Sequence, residues 1–76
     1  MIDVRLFGTL PMLSTSGRKQ FEMESRPGLF VREIVESEGL KPADVHIVMI
    51  NGIHGTMESE LRDGDRVGLF PPVGGG

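Results

Sequence analysis

The residues best placed to do chemistry in this sequence are its last six, Pro71-Pro72-Val73-Gly74-Gly75-Gly76. Three consecutive glycines carry no side chain and almost no conformational restriction, so they add nothing to a core. They suit a segment that passes through a narrow channel and presents its final carboxylate to another protein. Gly74 to Gly76 extend by at most about 3.3–3.6 Å each, giving on the order of 10 Å of thin tail beyond Val73. Pro71-Pro72 stiffens the base of that tail and points it away from what precedes it. A frayed end is the bland alternative, since termini are often disordered; the segment before the glycines argues against it.

Other reactive constellations are weak. The chain has no cysteine, which excludes disulfides, thiolate catalysis and cysteine-based metal sites. Asp63 and Asp65 flank Gly64 and read as turn residues bonding local backbone rather than as an acid/base pair. His46 and His54 have no carboxylate neighbours that would make a zinc site. Glu33, Glu36 and Glu38 read as the solvated face of a helix. The glycine run lacks the Gly-Lys-Ser/Thr and the following helix of a phosphate loop. Five methionines read as fillers of irregular core gaps.

Size and composition narrow the class. A chain of 76 residues makes one small domain, which buries only roughly 60% of the surface its unfolded form exposes. Apolar residues make up 38% and charged residues 25%, a balance of a folded soluble protein rather than a disordered one. A net charge of -3 argues against nucleic acid as a partner. Arg18-Lys19, the nearest approach to a basic cluster, is followed by Glu22 and Glu24 and reads as a solvated strand edge. Met1 to Arg5 lacks the pattern of a signal peptide, and no apolar run approaches the ~18 residues that span a bilayer. A cytoplasmic protein with no membrane contact is the expectation.

The elements that must position the tail follow from periodicity. Ile2, Val4 and Leu6 alternate with Asp3, Arg5 and Phe7, as in a half-buried strand. Gly8 to Gly17 reads as an irregular loop, and Gln20 to Ser25 alternates again, completing a hairpin. Val31, Ile34 and Val35 recur at helical spacing over about three turns, with Gly39 as the C-terminal cap and Pro42 preventing resumption. His46 to Ile50 is an apolar strand closed by the Asn51-Gly52 turn, and Ile53 to Met57 a brief edge strand. Arg66 to Phe70 is the last strand, ended by Pro71-Pro72 because proline has no amide hydrogen for a ladder. This order predicts an α+β domain with one principal helix on one face of the sheet.

Leu61-Arg62-Asp63-Gly64-Asp65-Arg66-Val67-Gly68-Leu69-Phe70-Pro71-Pro72-Val73-Gly74-Gly75-Gly76 closely resembles the C-terminal signature of the MoaD/ThiS sulfur carriers. Asn51-Gly52 and the opening apolar strand also fit. Pro-Pro-Val before the glycines is more similar to the molybdopterin synthase small subunit than to the thiamine sulfur carrier. Gly74 departs from that branch, which usually has Ala, Ser or Thr there. The short Gly39–His46 segment also lacks room for the extra helical stretch of many of its members.

The resemblance implies a ubiquitin-like β-grasp with a mixed sheet of four to five strands over residues 1–72 and a flexible tail over 73–76. It implies a carrier, not an enzyme, whose Gly76 carboxyl is adenylated by an E1-like adenylyltransferase and converted to a thiocarboxylate. No cofactor is bound; ATP is used by the activating partner. With no cysteine in the chain, Gly76 is the only plausible attachment point for sulfur, while Gly74 and Gly75 give clearance for active-site insertion. A sulfurtransferase supplies the sulfur, and the molybdopterin synthase large subunit or another sulfur-accepting synthase receives it.

Delivery to thiamine or another sulfur-containing metabolite, a ubiquitin-like modifier joined to lysines, and a non-reactive interaction module are the alternatives. Partner recognition is expected on the sheet face away from the helix. There Phe7 and Phe70 lie together on adjacent first and last strands, joined by Met49 and by Pro71, Pro72 and Val73 at the tail's root. The competing expectation puts both phenylalanines in the core.

Overall fold

The alternation in Ile2–Leu6 produces strand β1, whose Ile2, Val4 and Leu6 are all buried. In the computed structural model, which describes residues 1–72, β1 lies second from one edge of a sheet. Its antiparallel neighbour is β2 (Gln20–Met23), with Val4 opposite Phe21. Its other neighbour is the last strand, β5 (Arg66–Phe70), which runs parallel to it with Val4 opposite Val67. Strand β3 (Ile47–Ile50) pairs antiparallel with β5, and β4 (Ile53–Gly55) closes the far edge. Among the described residues the sheet therefore has five strands in the order β2-β1-β5-β3-β4. The first and last strands sit side by side at its centre.

The connection from β1 to β2 departs from the expected irregular loop. Leu10–Leu13 form a single helical turn, α1, with Leu10 and Pro11 buried. Proline is tolerated in a first helical turn, where its missing N–H has no intrahelical partner to lose. The principal helix, α2, spans Val31–Ser37, seven residues rather than three full turns. Its start is fixed by Glu33, whose carboxylate accepts the Phe30 N–H at 3.0 Å. Its end is fixed by Gly39 at φ +73°, with the Leu40 N–H returning to the Val35 carbonyl at 3.0 Å. The short segment before β3 holds one 3₁₀ turn, Pro42–Asp44, where no helical stretch was expected.

Val31, Ile34 and Val35 of α2 pack on the sheet face formed by Ile2, Val4, Leu6, Val48, Val67 and Leu69. Leu10, Leu29, Leu40, Val45 and Leu61 close the margins, with Phe21, Met23, Ile50 and Met57 partly buried against them. The principal helix covers one face, and among the described residues no helix covers the other.

The glutamates of α2 do not share one environment, which corrects the reading of all three as solvated. Only Glu36 is exposed. Glu33 caps the helix and pairs with Arg26. Glu38 is buried, accepting from Ser16 Oγ at 2.5 Å with the Arg18 guanidinium 3.7 Å away. Its carbonyl also takes the Thr15 N–H at 2.8 Å, so the end of α2 anchors the segment leading into β2. Arg18 additionally lies 4.1 Å over the Phe21 ring. A buried carboxylate needs such partners, and Glu38 has them.

Candidate functional site

Because side chains alternate along a strand, burying Val4, Leu6, Val67 and Leu69 turns Asp3, Arg5, Phe7, Arg66, Gly68 and Phe70 to the opposite face. Phe7 lies just beyond β1, and its N–H donates to the Leu69 carbonyl at 3.0 Å, which continues the parallel pairing by one residue. The Phe7 and Phe70 rings stack in parallel with centroids 4.3 Å apart. Phe7 is 39% exposed, whereas the residues beneath it are essentially inaccessible. The two phenylalanines are therefore a surface pair and not core residues.

Gly68 makes the stack feasible. A Cβ at this position would stand 3.2 Å from the Phe7 ring and 3.3 Å from the Phe70 ring, tighter than ordinary packing. Met49 of β3 sits directly across from Gly68 in register and is half-buried. Phe7, Met49, Gly68 and Phe70, together with Asp3, Arg5 and Arg66, line a shallow groove of about 320 Å³. Asp3 accepts from Gln20 Nε2 at 2.9 Å and from Arg5 Nε at 3.1 Å. The Gln20 hydrogen bond, with help from Arg5, holds its carboxyl below the ordinary range and keeps it ionised. Arg5 is thereby partly neutralised, and Arg66 remains an exposed positive charge beside an apolar floor.

The same corner of the sheet launches the C-terminal segment. The His46 N–H donates to the Phe70 carbonyl at 2.7 Å, the last ladder bond of β5. Pro71 follows, half-buried, and Pro72 is exposed. Pro71 packs against Gly8, where a Cβ would lie 2.7 Å from Pro71 Cγ. Val73, Gly74, Gly75 and Gly76, expected to form the flexible tail and its attachment point, lie outside the described residues.

The remaining candidates serve the fold. Asp65 accepts the Arg62 N–H at 2.8 Å and Asn51 Nδ2 at 2.9 Å, tying two turns together. Asp63 accepts from the Met1 amino group and from Ser25 Oγ at 3.3 Å. His46 and His54 are exposed, and among the described residues no group of side chains could hold a metal ion. No described helix is long and apolar enough to cross a membrane. Sequence reasoning named Phe7, Met49 and Phe70 but missed Gly8 and Arg66. Arg66 was accessible from the alternation; Gly8 had no local signal beyond its place after a strand.

The chain is similar in sequence and fold to several known proteins. The profile of the ThiS family matches residues 4–76. No curated protein sequence matches the chain. Among solved structures, a protein assigned as molybdopterin converting factor subunit 1 from Pyrococcus furiosus is 30% identical, with a TM-score of 0.69. That match covers 95% of this chain and 97% of the other. A chain of the complex of subunits 1 and 2 of molybdopterin-converting factor from Helicobacter pylori 26695 is similar at 28% identity. It has a TM-score of 0.60 over 99% of this chain and 97% of that one. Urm1 from Trypanosoma brucei, at 18% identity, shares the fold with a TM-score of 0.70 over 99% and 94% of the two chains.

Proposed function

Because the chain belongs to the ThiS family of ubiquitin-like β-grasp proteins, we propose that it is a sulfur carrier whose Gly76 carboxyl is the attachment point. In this reading the body is not an enzyme; it docks on partners and delivers its terminus to their active sites. The carboxylate attacks the α-phosphorus of ATP in an E1-like adenylyltransferase, releasing pyrophosphate and forming an acyl-adenylate. Hydrosulfide supplied through a sulfurtransferase then displaces AMP, leaving a thiocarboxylate. All acid, base and phosphate chemistry belongs to the partners, and the carrier itself holds no cofactor.

The observation that carries this reading is the stack of exposed Phe7 on half-buried Phe70 at the root of the C-terminal segment. Apolar aromatic surface beside a thin, side-chain-free end is what a docking module needs, since aromatic residues and methionine are enriched at interface centres. Pro71, half-buried after β5, and the exposed Pro72 follow directly on this corner, and in this reading they and Val73 border the partner as well.

Similarity to the Pyrococcus furiosus and Helicobacter pylori proteins supports molybdopterin biosynthesis as the destination of the sulfur. The Helicobacter pylori relative comes from a complex of subunits 1 and 2, which supports a synthase large subunit as the acceptor partner. The family match equally suits delivery to thiamine or another sulfur-containing metabolite. A test compares the full chain with one lacking Gly76 in an ATP-dependent sulfur-transfer reaction with the activating enzyme and large subunit. Transfer by the full chain alone supports the carrier. Undiminished transfer by the shortened chain overturns Gly76 as the attachment point, and lysine-linked conjugates in place of sulfur transfer point to a protein modifier.

A further inference from the structure

We propose that Gly8 is a positioning residue for the C-terminal segment: the notch left by its missing side chain seats the Pro71 ring and sets the direction in which the chain leaves the sheet. The inference rests on the carrier reading and adds to it a residue that the sequence pattern did not mark. Up to Phe70 the path of β5 is fixed by ladder bonds, on one side to β1 and on the other to His46. Beyond Phe70 that control ends, because Pro71 has no N–H to donate. The remaining determinant is packing of the ring, and its neighbour is Gly8. A Cβ at Gly8 would lie 2.7 Å from Pro71 Cγ and 3.2 Å from Pro71 Cδ, so any L side chain there must push the ring aside.

Gly8 has φ +59°, a conformation that also favours glycine, and it follows directly on the stacked Phe7. Docking face and exit direction are thus set by consecutive residues. Phe7 presents the surface that binds a partner, and Gly8 aims the segment that reacts inside it. A change at Gly8 should therefore separate binding from turnover, which a merely destabilising change does not do.

The experiment uses the full chain as substrate of its activating enzyme, with ATP-dependent pyrophosphate release as the readout. Gly8→Asn tolerates positive φ but fills the notch. Pro71→Ala keeps the Gly8 turn and removes the ring. A chemically synthesised chain with D-alanine at position 8 accepts positive φ and leaves the position that faces Pro71 occupied by hydrogen alone. Gly8→Asn and Pro71→Ala are each expected to lower kcat by on the order of tenfold to a hundredfold, as for a misdirected reacting group. Gly8→Asn should keep KM close to wild type because the Phe7–Phe70 face is intact. Pro71→Ala should raise KM as well because Pro71 borders the docking surface, and the D-alanine chain should restore kcat.

Wild-type kcat in both variants, or a loss expressed only in KM, overturns the assignment. So does a D-alanine chain as impaired as Gly8→Asn. Should Gly8→Asn not fold, Pro71→Ala and the D-alanine chain decide the matter between them. Absence of turnover with the wild-type chain is a different result, and it contradicts the carrier reading itself.

Discussion

Phe7 and Phe70 stack in parallel at 4.3 Å, and both rings border the space that a side chain on Gly68 would need. They come from opposite ends of the chain and meet because β1 and β5 are parallel neighbours at the centre of the sheet. The helix covers the other face, so this pair is the aromatic surface that the fold leaves open beside its C-terminal exit.

Phe7→Glu and Phe70→Glu should each leave the protein folded, because neither ring belongs to the core cluster. Loss of the stack should cost about 0.5–1.5 kcal/mol of stability. Binding to the activating enzyme or large subunit should fall by on the order of 30-fold or more, the ~2 kcal/mol of an interface hot spot. Calorimetry for binding and circular dichroism for folding check both halves. Unfolding of both variants counts against the docking assignment.

Gly68→Ala isolates the stack from its charge environment. The added methyl meets both rings at 3.2–3.3 Å, and φ is not positive there, so strain arises from the aromatic pair alone. The expected result is changed ring-proton shifts for Phe7 and Phe70 and a cost of about 1–3 kcal/mol. Unchanged ring shifts would show that the stack does not rest on Gly68.

Beneath the sheet the balance differs. Ile34 and Leu69 are fully buried between α2 and β5. Truncating either to alanine should cost about 2–5 kcal/mol, more than losing the Phe7 ring on the outer face. Denaturant titration of Ile34→Ala beside Phe7→Ala tests that ordering.

Glu38→Ala should release the connection between α1 and β2, since it strands Ser16 Oγ and Arg18. Local hydrogen exchange at Thr15 to Lys19 should rise, with a stability loss of about 1–3 kcal/mol. A mutant with unaltered exchange there would contradict the anchoring role.

Acidification should destabilise the helix start. The Phe30 N–H, and after it Arg26, hold the Glu33 carboxyl below its ordinary value of 4.5. A group whose pKa is depressed by folding contributes stability above its ordinary value and loses it as pH falls through the folded value. Melting temperature should therefore drop as pH falls below about 4.5, and Glu33→Gln should flatten that dependence.

Much of this architecture was legible because strand periodicity and proline agreed. The boundaries of β5 follow from alternation at Arg66 to Phe70 and the stop at Pro71. The end of α2 follows from Gly39. Turn α1 was hidden because Pro11, Ser14, Ser16 and Gly17 read as loop chemistry, although proline fits a first helical turn. Glu38 was misread because helical position alone does not reveal the segment that folds over it. The adjacency of Phe7 and Phe70 entered through the family resemblance, but their stacking over Gly68 and the seat of Pro71 on Gly8 are tertiary facts. Residues so distant in sequence carry no mutual signal until the sheet closes.

The central claim is that the Gly76 carboxyl is the reactive group. Intact-mass spectrometry of the chain after incubation with ATP, the activating enzyme and a sulfur donor tests it most directly. The account predicts replacement of one C-terminal oxygen by sulfur, localised to Gly76 by fragmentation. A mass that stays unchanged under these conditions, or sulfur found elsewhere in the chain, would contradict it.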